Sequence, residues 1–441
     1  MKISLKERIF IADALKKAQG EKAVVAGWIH SIRIVGGVAF IVLRDRTGLI
    51  QCVVKKDQNQ EGYNLAKDLG SEDVVAIKGT LKESKSSLGG KEINIEAMEV
   101  ISRSEKPVPI DPEDWEKTNL ATRLDWRFLD LRATRNRLIF EITDAAINAM
   151  RDFYRNNGFI EVFTPKIVAE ATEGGAEVFP VVYFDRYAYL AQSPQLYKQM
   201  MVVAGFERVF EVGPVYRAEK HHTNRHLTEY ESVDIEMGFI EDHEDVMKMV
   251  EKAVIHTIQA VSQRFGKEIE QYFKIRLDSP KDVPRITFRE AHKLLNEHGV
   301  KQPDPNDIDS EGEKALGDIV EKEYGSQLFY VTEYPWVKRP FYTMRKENDA
   351  DYTKSFDLIY RGMEIVSGSQ REHRADILEK QIREKGLKVE NFNFFIKVFR
   401  YGAPPHGGSG LGLERLVAQM LGIKNIREAR LLPRDPERLT P

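Results

Sequence analysis

The sequence of 441 residues lacks several features that would assign it to common classes of protein. Its single cysteine, Cys52, excludes an internal disulfide and a thiolate metal cage. No apolar run approaches the roughly 18 residues that a membrane-spanning helix needs, and the histidines lack the spacing of a transition-metal site. The 66 Lys plus Arg against 69 Asp plus Glu leave no positive excess for coating polyanions, although RNA bound at a local patch stays open. We expect a protein of a reducing compartment, the cytoplasm, with no membrane partner.

The residues that are present indicate a folded chain of more than one domain. Charged residues make up 31% and hydrophobic residues 42%, which is typical of globular proteins, and 441 residues exceed the usual size of one core. Residues 105–130 begin with a proline-rich stretch without periodicity, which predicts a linker or hinge. We therefore place one domain at 1–104 and a second at 131–441.

The first domain has the pattern of a small β-barrel. Five short strand-like runs are separated by turn signals. The runs begin near Val24, Ala39, Gly48, Asp73 and Ile93. Residues 59–69, between the third and fourth runs, have a helical pattern. Five strands with a helix at that place predict an OB-type Greek-key barrel, and an open five-stranded sheet is the alternative.

The second domain mixes helices and strands that do not alternate strictly, which predicts an α+β fold on an antiparallel sheet flanked by helices. Amphipathic patterns predict long helices over 135–157 and 243–265. Later runs of β-branched and aromatic residues predict strands over 327–331, 341–344 and 354–360.

A charged hairpin is the first candidate for chemistry. A predicted strand over 209–219 leads into a loop rich in cations, and a second strand follows over 230–237. Arg217 near the centre and Arg225 with His226 at the tip suit a polyphosphate, because a guanidinium fork pairs with phosphate oxygens. A solvated charged loop is the alternative.

A glycine-rich segment over 404–416 is the second candidate. Glycine lets a backbone approach a ligand closely, and Arg415 in the first turn of the predicted helix is placed to face an anion. The segment matches neither a Walker loop nor G-x-G-x-x-G in a strand–helix context. A glycine-rich turn without a ligand is the alternative.

Two carboxylates and a hydroxyl form the third candidate. Asp357 and Glu364 fall on a predicted strand pair, with Ser367 close after. Such hard oxygen ligands hold Mg²⁺ together with substrate phosphates. Read alone, Glu364 is equally explained as an ion-pair partner. Lys198, in the segment 192–199, is explained as a surface lysine when it is read alone.

Taken in order, these segments resemble the three signature motifs of class II aminoacyl-tRNA synthetases. The 135–157 helix followed by Thr164-Pro165 resembles motif one, residues 215–219 with their hairpin resemble motif two, and Gly410–Arg415 resembles motif three. With an OB barrel before these motifs, the chain resembles the subgroup that handles aspartate, asparagine and lysine.

Within that subgroup the sequence resembles aspartyl-tRNA synthetases of the archaeal and eukaryotic type, in residues 173–175, 192–199 and 367–371. The resemblance implies an aspartate–tRNA ligase. Aspartate attacks the α-phosphorus of ATP, and the aspartyl group then passes to the 3′ end of tRNA(Asp), with tRNA(Asn) as a further substrate left open. It also implies Mg²⁺ as cofactor and a homodimer.

The resemblance also implies residue roles. Aspartate binds Glu173, Gln195, Lys198, Arg217, Asp234, Ser367 and Arg371. ATP binds Arg217, Ala218, Glu219, Arg225, His226, Leu227, Glu364, Gly412, Leu413, Glu414 and Arg415. Arg217 and Arg415 are the catalytic residues. Asp357, Glu364 and Ser367 coordinate Mg²⁺. In the barrel, Phe40 and Gln51 match anticodon-reading positions, while His30 and Ser87 occupy positions that vary with tRNA discrimination. A barrel-core role for Phe40 is the alternative.

The preference for aspartate has a physical reason. By the resemblance, Lys198 and Arg371 clamp the side-chain carboxylate, and each close ion pair contributes about 4 kcal/mol at an effective dielectric near 20. Asparagine would leave both cations without a counter-charge, at a cost of about 3–5 kcal/mol. The alternatives are an asparagine–tRNA ligase, a tRNA-independent asparagine synthetase and a non-catalytic RNA-binding paralogue.

Overall fold

A computed structural model describes residues 2–84, 88–170, 177–219 and 223–441. The chain divides into two compact units, residues 1–111 and 112–441, and each is described by itself. No helix among the described residues is both long and apolar enough to cross a bilayer.

The first unit is a closed five-stranded barrel. Its strands are β1 (Lys22–Val35), β2 (Val38–Asp45), β3 (Gly48–Lys55), β4 (Val74–Glu83) and β5 (Lys91–Ser102), and its helices are α1 (Ile11–Lys16) and α2 (Gln60–Lys67). The strand order is β1-β2-β3-β5-β4, with β3 and β5 parallel and the other pairs antiparallel. Alternate side chains of β2, among them Ala39, Ile41 and Leu43, are fully buried in the barrel core. The predicted OB barrel, including α2 between β3 and β4, is confirmed.

The second unit is built on an eight-stranded sheet in the order β12-β13-β14-β15-β16-β11-β10-β6, beside a small sheet in the order β7-β9-β8. The strands are β6 (Ile160–Glu161), β7 (Ile167–Val168), β8 (Pro180–Tyr183), β9 (Arg186–Leu190), β10 (Arg208–Tyr216), β11 (Glu229–Gly238), β12 (Arg285–Thr287), β13 (Leu328–Thr332), β14 (Ser355–Tyr360), β15 (Met363–Gln370) and β16 (His406–Gly412). Only the terminal pairs, β6 with β10 and β12 with β13, are parallel among the described strands of the large sheet. The predicted α+β fold on an antiparallel sheet is confirmed.

Helices cover this sheet. They are α3 (Leu120–Asp125), α4 (Arg127–Asp130), α5 (Thr134–Asn156), α6 (Gln195–Met201), α7 (His243–Phe273), α8 (Phe288–Glu297), α9 (Ser310–Tyr324), α10 (Ala375–Glu384), α11 (Asn393–Phe399) and α12 (Leu413–Leu421). Buried side chains of α5, α7 and α12 form one core cluster with the central strands, for example Ile142, Val250, Leu416 and Ile235. Each such side chain contributes about 1.5–3 kcal/mol through burial, so the sheet is a rigid base for side chains on its other face.

The predicted strand over 341–344 is wrong. Its backbone forms a turn in which Thr343 N–H donates to the carbonyl of Pro340 (3.1 Å). The Phe341 ring lies 5.0 Å from that of Phe392, inside a cluster formed with α10 and α11. Apolar residues therefore place this segment in a core, and it pairs with β-structure through an isolated bridge between Thr343 and Arg371, although its composition is that of a strand.

Part of the predicted linker over 105–130 is helical. Residues 112–130 belong to the second unit and contain α3 and α4. The buried guanidinium of Arg127 is paired with Asp130 (2.5 Å) and donates to the carbonyl of Glu428 (2.9 Å). Buried ion pairs and hydrogen bonds of this kind hold the segment against the rest of the second unit.

Candidate active site

The second unit contains a cavity of about 390 Å³ on the large sheet. Many predicted site residues line it. They are Gln195, Arg217, Glu219, Arg225, His226, Leu227, Asp234, Glu364, Ser367, Arg371, Gly412, Glu414 and Arg415. Lys198, Ala218, Asp357 and Leu413 lie in the same unit outside that lining, and Lys198 and Asp357 each contact groups that belong to it. The structure thus brings together residues spread over more than 200 positions.

An acidic row on β11 faces the glycines of β16. Asp234 and Glu236 are two residues apart on one strand and share a face. In the antiparallel register they lie opposite Gly410 and Gly408. A Cβ atom at Gly408 would lie 2.1 Å from a carboxylate oxygen of Glu236. Residues 406–412 of the glycine-rich segment therefore form a central strand whose missing side chains make room for carboxylates, and the alternative of a glycine-rich turn without a ligand does not agree with this arrangement.

Lys198 and Arg371 converge on this acidic row. Lys198 Nζ donates to Asp234 Oδ1 (2.8 Å) and to the carbonyl of Ser409 (2.9 Å), and lies 3.5 Å from Glu236 Oε2. Arg371 donates from Nε to Glu236 Oε1 (3.0 Å).

The other guanidinium nitrogens of Arg371 donate to Ser369 Oγ (2.7 Å) and Gln195 Oε1 (3.0 Å). The Lys198 side chain is 2% exposed and that of Arg371 4%. Two cations and two carboxylates therefore form one dry network at one end of the cavity.

Glu236 is a residue that the sequence reasoning missed as a site residue. Its carboxylate is fully buried and joins both cations. The signal was present, because Ser232, Asp234 and Glu236 recur at the two-residue period of one strand face.

The other end of the cavity carries Arg217, Arg225 and Arg415, the arginines predicted to bind ATP. Arg217 lies just after β10, and its guanidinium carbon is 5.9 Å from the centre of the Tyr230 ring. Burial raises the pKa of Tyr230. Arg415 donates to the carbonyl of Glu364 (3.0 Å) and lies 3.4 Å from its carboxylate. These cations lie around one volume, which is the arrangement that an extended polyphosphate needs.

Arg225 is paired with Glu313, a second residue without a sequence signal. Glu313 lies in the first turn of α9, which begins where the Asp309 carboxylate accepts the N–H of Gly312 (2.8 Å). Glu313 also accepts the N–H of Glu364 (2.9 Å). Burial, with the charge of Glu364 adding to it, raises the pKa of Glu313 to about 7. The cavity thus holds carboxylates that its own cations neutralise incompletely.

Asp357 and Ser367 lie opposite each other on β14 and β15. Arg339 bridges them, with one nitrogen donating to Asp357 Oδ2 (2.7 Å) and another to Ser367 Oγ (2.9 Å). Burial raises the pKa of Asp357. Its other oxygen, Oδ1, is buried and has no hydrogen-bond partner among the described residues.

The donor set suits a divalent cation, because Asp357 offers a carboxylate oxygen without a partner among the described residues and Ser367 offers a hydroxyl oxygen. In the described part of the chain, no group of three or more His, Cys, Asp or Glu side chains is placed to hold a metal ion. Two carboxylates and a hydroxyl would therefore need further oxygens from a ligand, which is how Mg²⁺ binds together with phosphates.

The predicted barrel residues lie away from the core. Phe40 is half-buried, between the fully buried Ala39 and Ile41 on β2, so it faces the outside of the barrel. The guanidinium carbon of Arg33 is 5.3 Å from the centre of its ring. Gln51 on β3 has the same outward orientation, and its amide donates to Glu92 Oε2 (2.8 Å). The alternative of a core position for Phe40 does not agree with this arrangement.

Three other predictions have different outcomes. His30 lies on β1 at an irregularity in the pairing with β2, between Ile29 and Ser31. Glu173 and Ser87 lie outside the described residues. Their predicted roles stay predictions.

Comparison with known proteins adds to this geometry. The family described as tRNA synthetases class II (D, K and N) matches residues 119–436, and OB-fold nucleic acid binding domains match residues 23–101.

Two curated relatives are similar over the whole chain. The sequence is 48% identical to an aspartate–tRNA(Asp/Asn) ligase of Aeropyrum pernix, over 99% of this chain and 100% of the relative. It is 47% identical to an aspartate–tRNA(Asp) ligase of Pyrococcus abyssi, over 98% of this chain and 99% of the relative. Among solved structures, asparaginyl-tRNA synthetase from Pyrococcus horikoshii with asparaginyl-adenylate is similar with a TM-score of 0.93 and 35% identity. That match covers 99% of this chain and 100% of the other.

Proposed function

The chain belongs to the class II tRNA synthetases that handle aspartate, lysine and asparagine, and from that premise we propose how it acts as an aspartate–tRNA ligase. It activates L-aspartate with ATP to aspartyl-adenylate and transfers the aspartyl group to tRNA. The observation that carries this proposal is the buried network in which Lys198 and Arg371 meet at one end of the cavity.

The amino acid binds at that end. Arg371 and Lys198 clamp the side-chain carboxylate of aspartate, while Asp234 and Gln195 receive its ammonium group. Arg371, Asp234 and Gln195 all line the cavity, and Lys198 is joined to Asp234 by a direct hydrogen bond, which supports this division of roles. Asp234 and Glu236 already pair with these two cations, and a substrate carboxylate accepts further charge-assisted hydrogen bonds from them. An amide in its place brings no negative charge, so these interactions are weaker.

The nucleotide binds at the arginine-rich end. Arg217 takes the α-phosphate and the reacting carboxylate, and Arg415 with Arg225 takes the rest of the triphosphate. The α-carboxylate of aspartate attacks the α-phosphorus, and pyrophosphate leaves. The protein contributes by positioning and by neutralising negative charge as it develops, because no covalent step falls to a side chain. The terminal hydroxyl of tRNA then attacks the carbonyl of the adenylate.

Asp357, Glu364 and Ser367 would hold Mg²⁺ together with phosphate oxygens. When bound, the metal supplies positive charge at the triphosphate. The buried oxygen of Asp357 that lacks a partner among the described residues supports this assignment.

The barrel binds the anticodon. An outward aromatic ring at Phe40 stacks an unpaired base, and the amide of Gln51 reads a base edge. His30 and Ser87 replace the tryptophan and lysine that accompany strict selection in this family, so the enzyme charges both tRNA(Asp) and tRNA(Asn). The double name of the Aeropyrum relative supports this range.

The chain acts as a cytoplasmic homodimer. Phe163, next to the motif-one residues Thr164 and Pro165, is 80% exposed in the single chain, which supports burial by a second copy. Sedimentation equilibrium should give twice the chain mass, and an active monomer would contradict this part of the proposal.

One pair of assays tests the function. Pyrophosphate exchange into ATP should depend on aspartate and show less than a hundredth of that rate with asparagine. Charging of tRNA(Asp) and tRNA(Asn) transcripts should then proceed with both. Exchange driven by asparagine would show an asparagine–tRNA ligase, and no exchange with either amino acid would show a non-catalytic paralogue.

A further inference from the structure

We propose that Arg339 is an internal counter-ion that competes with divalent cations for Asp357 and Ser367. The inference rests on the proposed function, because that function gives these two residues a metal to bind. Arg339 lies between β13 and β14, directly before Pro340, and no sequence motif pointed to it.

The guanidinium occupies two of the oxygens that a metal would use, while Asp357 Oδ1 has no hydrogen-bond partner among the described residues. It donates to Asp357 Oδ2 (2.7 Å) and to Ser367 Oγ (2.9 Å). Its central carbon lies 3.9 Å from the centre of the Tyr334 ring, and the side chain is 13% exposed. Both the hydrogen bonds and the ring hold the cation in this position.

A guanidinium and a divalent cation compete for the charge of Asp357 even when they bind different oxygens of its carboxylate. Asp357 brings one negative charge, and two cations within a few ångströms of each other repel strongly where water is scarce. A metal that takes Asp357 Oδ2 and Ser367 Oγ must therefore displace Arg339. Binding of the metal is weakened by the free energy of the contacts that Arg339 gives up.

Two other arginines of the cavity have carboxylate partners of their own. Arg225 pairs with Glu313, and Arg415 lies against Glu364. Displaced from Asp357, Arg339 would compete with Arg225 and Arg415 for these carboxylates, and an incoming anion supplies it with a further counter-charge. This arrangement ties the entry of a metal to the entry of an anion such as a polyphosphate.

The neighbouring residue offers a matched control. Lys338 has the same charge and also lines the cavity, but its ammonium pairs with Asp304 (2.7 Å) and Asp307 (3.1 Å). A change at Lys338 alters the general charge near the site and leaves the contact between Arg339 and Asp357 in place.

The test is a titration of the full chain with Mn²⁺, followed by electron paramagnetic resonance without nucleotide. The unaltered chain should bind Mn²⁺ weakly, and Arg339→Met should bind it at least tenfold more tightly, within the usual 5–150-fold range of coupling between two ligands. Arg339→Lys should fall between them, because a charge remains without the planar fork. Lys338→Met should change the affinity less than twofold.

A second change locates the effect. In Arg339→Met combined with Asp357→Asn, the gain in Mn²⁺ affinity should disappear. Thermal unfolding of each variant shows whether it is folded, and Arg339→Lys serves if Arg339→Met is not. The proposal is overturned if folded Arg339 variants bind Mn²⁺ no more tightly than the unaltered chain. It is also overturned if the gain survives in the double variant or appears equally in Lys338→Met. Aspartate-dependent exchange by the unaltered chain tests the proposed function separately, so the two failures are distinguishable.

Discussion

The buried carboxylate of Asp73 in the barrel is fully neutralised by its neighbours, whereas two carboxylates beside the cavity of the catalytic unit, Asp357 and Glu313, are not. Burial alone would raise the pKa of Asp73 in the barrel. Hydrogen bonds from the backbone N–H groups of Ser104 and Gly70, with the charges of Lys106 and Arg103, outweigh burial, and the pKa lies below its ordinary value. Its ionised form is stabilised by groups that the fold itself supplies.

The cavity shows the opposite balance. Burial raises the pKa of Asp357 and takes that of Glu313 to about 7, although Arg339 and Arg225 lie directly against them. A carboxylate whose ionised form is left partly unstabilised is placed to gain from a ligand cation. From this comparison we predict that the barrel's charges support the fold and that the charges beside the cavity exchange partners when a ligand binds.

The largest effect should come from removing a cation of the cavity. Lys198→Leu leaves the buried carboxylates of Asp234 and Glu236 with one counter-charge fewer, at a cost of about 3–5 kcal/mol. We expect kcat/KM for aspartate in pyrophosphate exchange to fall about a thousandfold. Binding of an anticodon stem-loop should change less than twofold.

A matched control is Lys166→Leu. Lys166 Nζ lies 2.8 Å from the buried carboxylate of Glu211, which does not line the cavity, whereas the partner of Lys198, Asp234, does. We expect exchange within threefold of the unaltered chain, with a lower melting temperature. Equal losses in the two variants would mean that any buried lysine matters, and the assignment of Lys198 to aspartate would be lost.

The barrel should respond in stability. Asp73→Asn removes its ion pairs with Arg103 and Lys106 and weakens two hydrogen bonds, so the barrel should lose about 2 kcal/mol of stability. A group with a lowered folded pKa contributes stability above its ordinary pKa of 3.8 and loses it as the pH falls through the folded pKa. The loss caused by the substitution should therefore be equal at pH 8 and pH 5.

Hydrogen exchange of peptides from β4 and β5, corrected for intrinsic rates, measures this loss. Asp57→Asn, at an exposed position of the barrel, is the control and should change protection by less than 0.5 kcal/mol. A loss that grows between pH 5 and pH 8 would show that Asp73 titrates in that window, and the contrast with the cavity would disappear.

The barrel should also be separable in function. Phe40→Ala removes an outward ring that we assign to base stacking, which contributes about 1–3 kcal/mol per base. We expect about tenfold weaker binding of tRNA and unchanged aspartate-dependent exchange. Phe10→Ala is the matched aromatic control, since that ring lies under the guanidinium groups of Arg8 and Arg46, and it should weaken binding less than twofold. Filter binding measures both, and equal effects would remove the assignment of Phe40.

The parts of the fold that the sequence predicts well have local causes. Alternating side chains on β2 and β3 predict the barrel, and the apolar face of α5 predicts a helix that the structure starts at Thr134, one residue before expectation. The strand expected over 341–344 is not formed, because the segment packs against α11 and pairs through an isolated bridge between Thr343 and Arg371. Local composition could not reveal a partner that lies some fifty residues away.

The same reason separates the site residues that were predicted from those that were not. Ser367 and Arg371 lie in a segment that carries the resemblance, and Asp357 lies on the predicted strand pair that ends in it. Arg339 and Glu313, in contrast, act through partners set by the tertiary fold. Arg225 and Glu313 are 88 residues apart in the sequence. Only the pairing of β14 with β15 and the position of α9 bring such groups into the cavity.

Glu313 gives the smallest and most specific test of the comparison. If cavity charges exchange partners, Glu313→Gln should weaken the hold on Arg225 and make this arginine more available to ATP. We expect KM for ATP in pyrophosphate exchange to fall about threefold with little change in kcat, because the lost ion pair is partly exposed and contributes little more than a surface pair. The control is Glu311→Gln, an exposed glutamate in the same first turn of α9, which should leave KM unchanged. A raised KM would show that Glu313 orients Arg225 toward the phosphates, in which case this carboxylate supports a fixed structure as Asp73 does in the barrel.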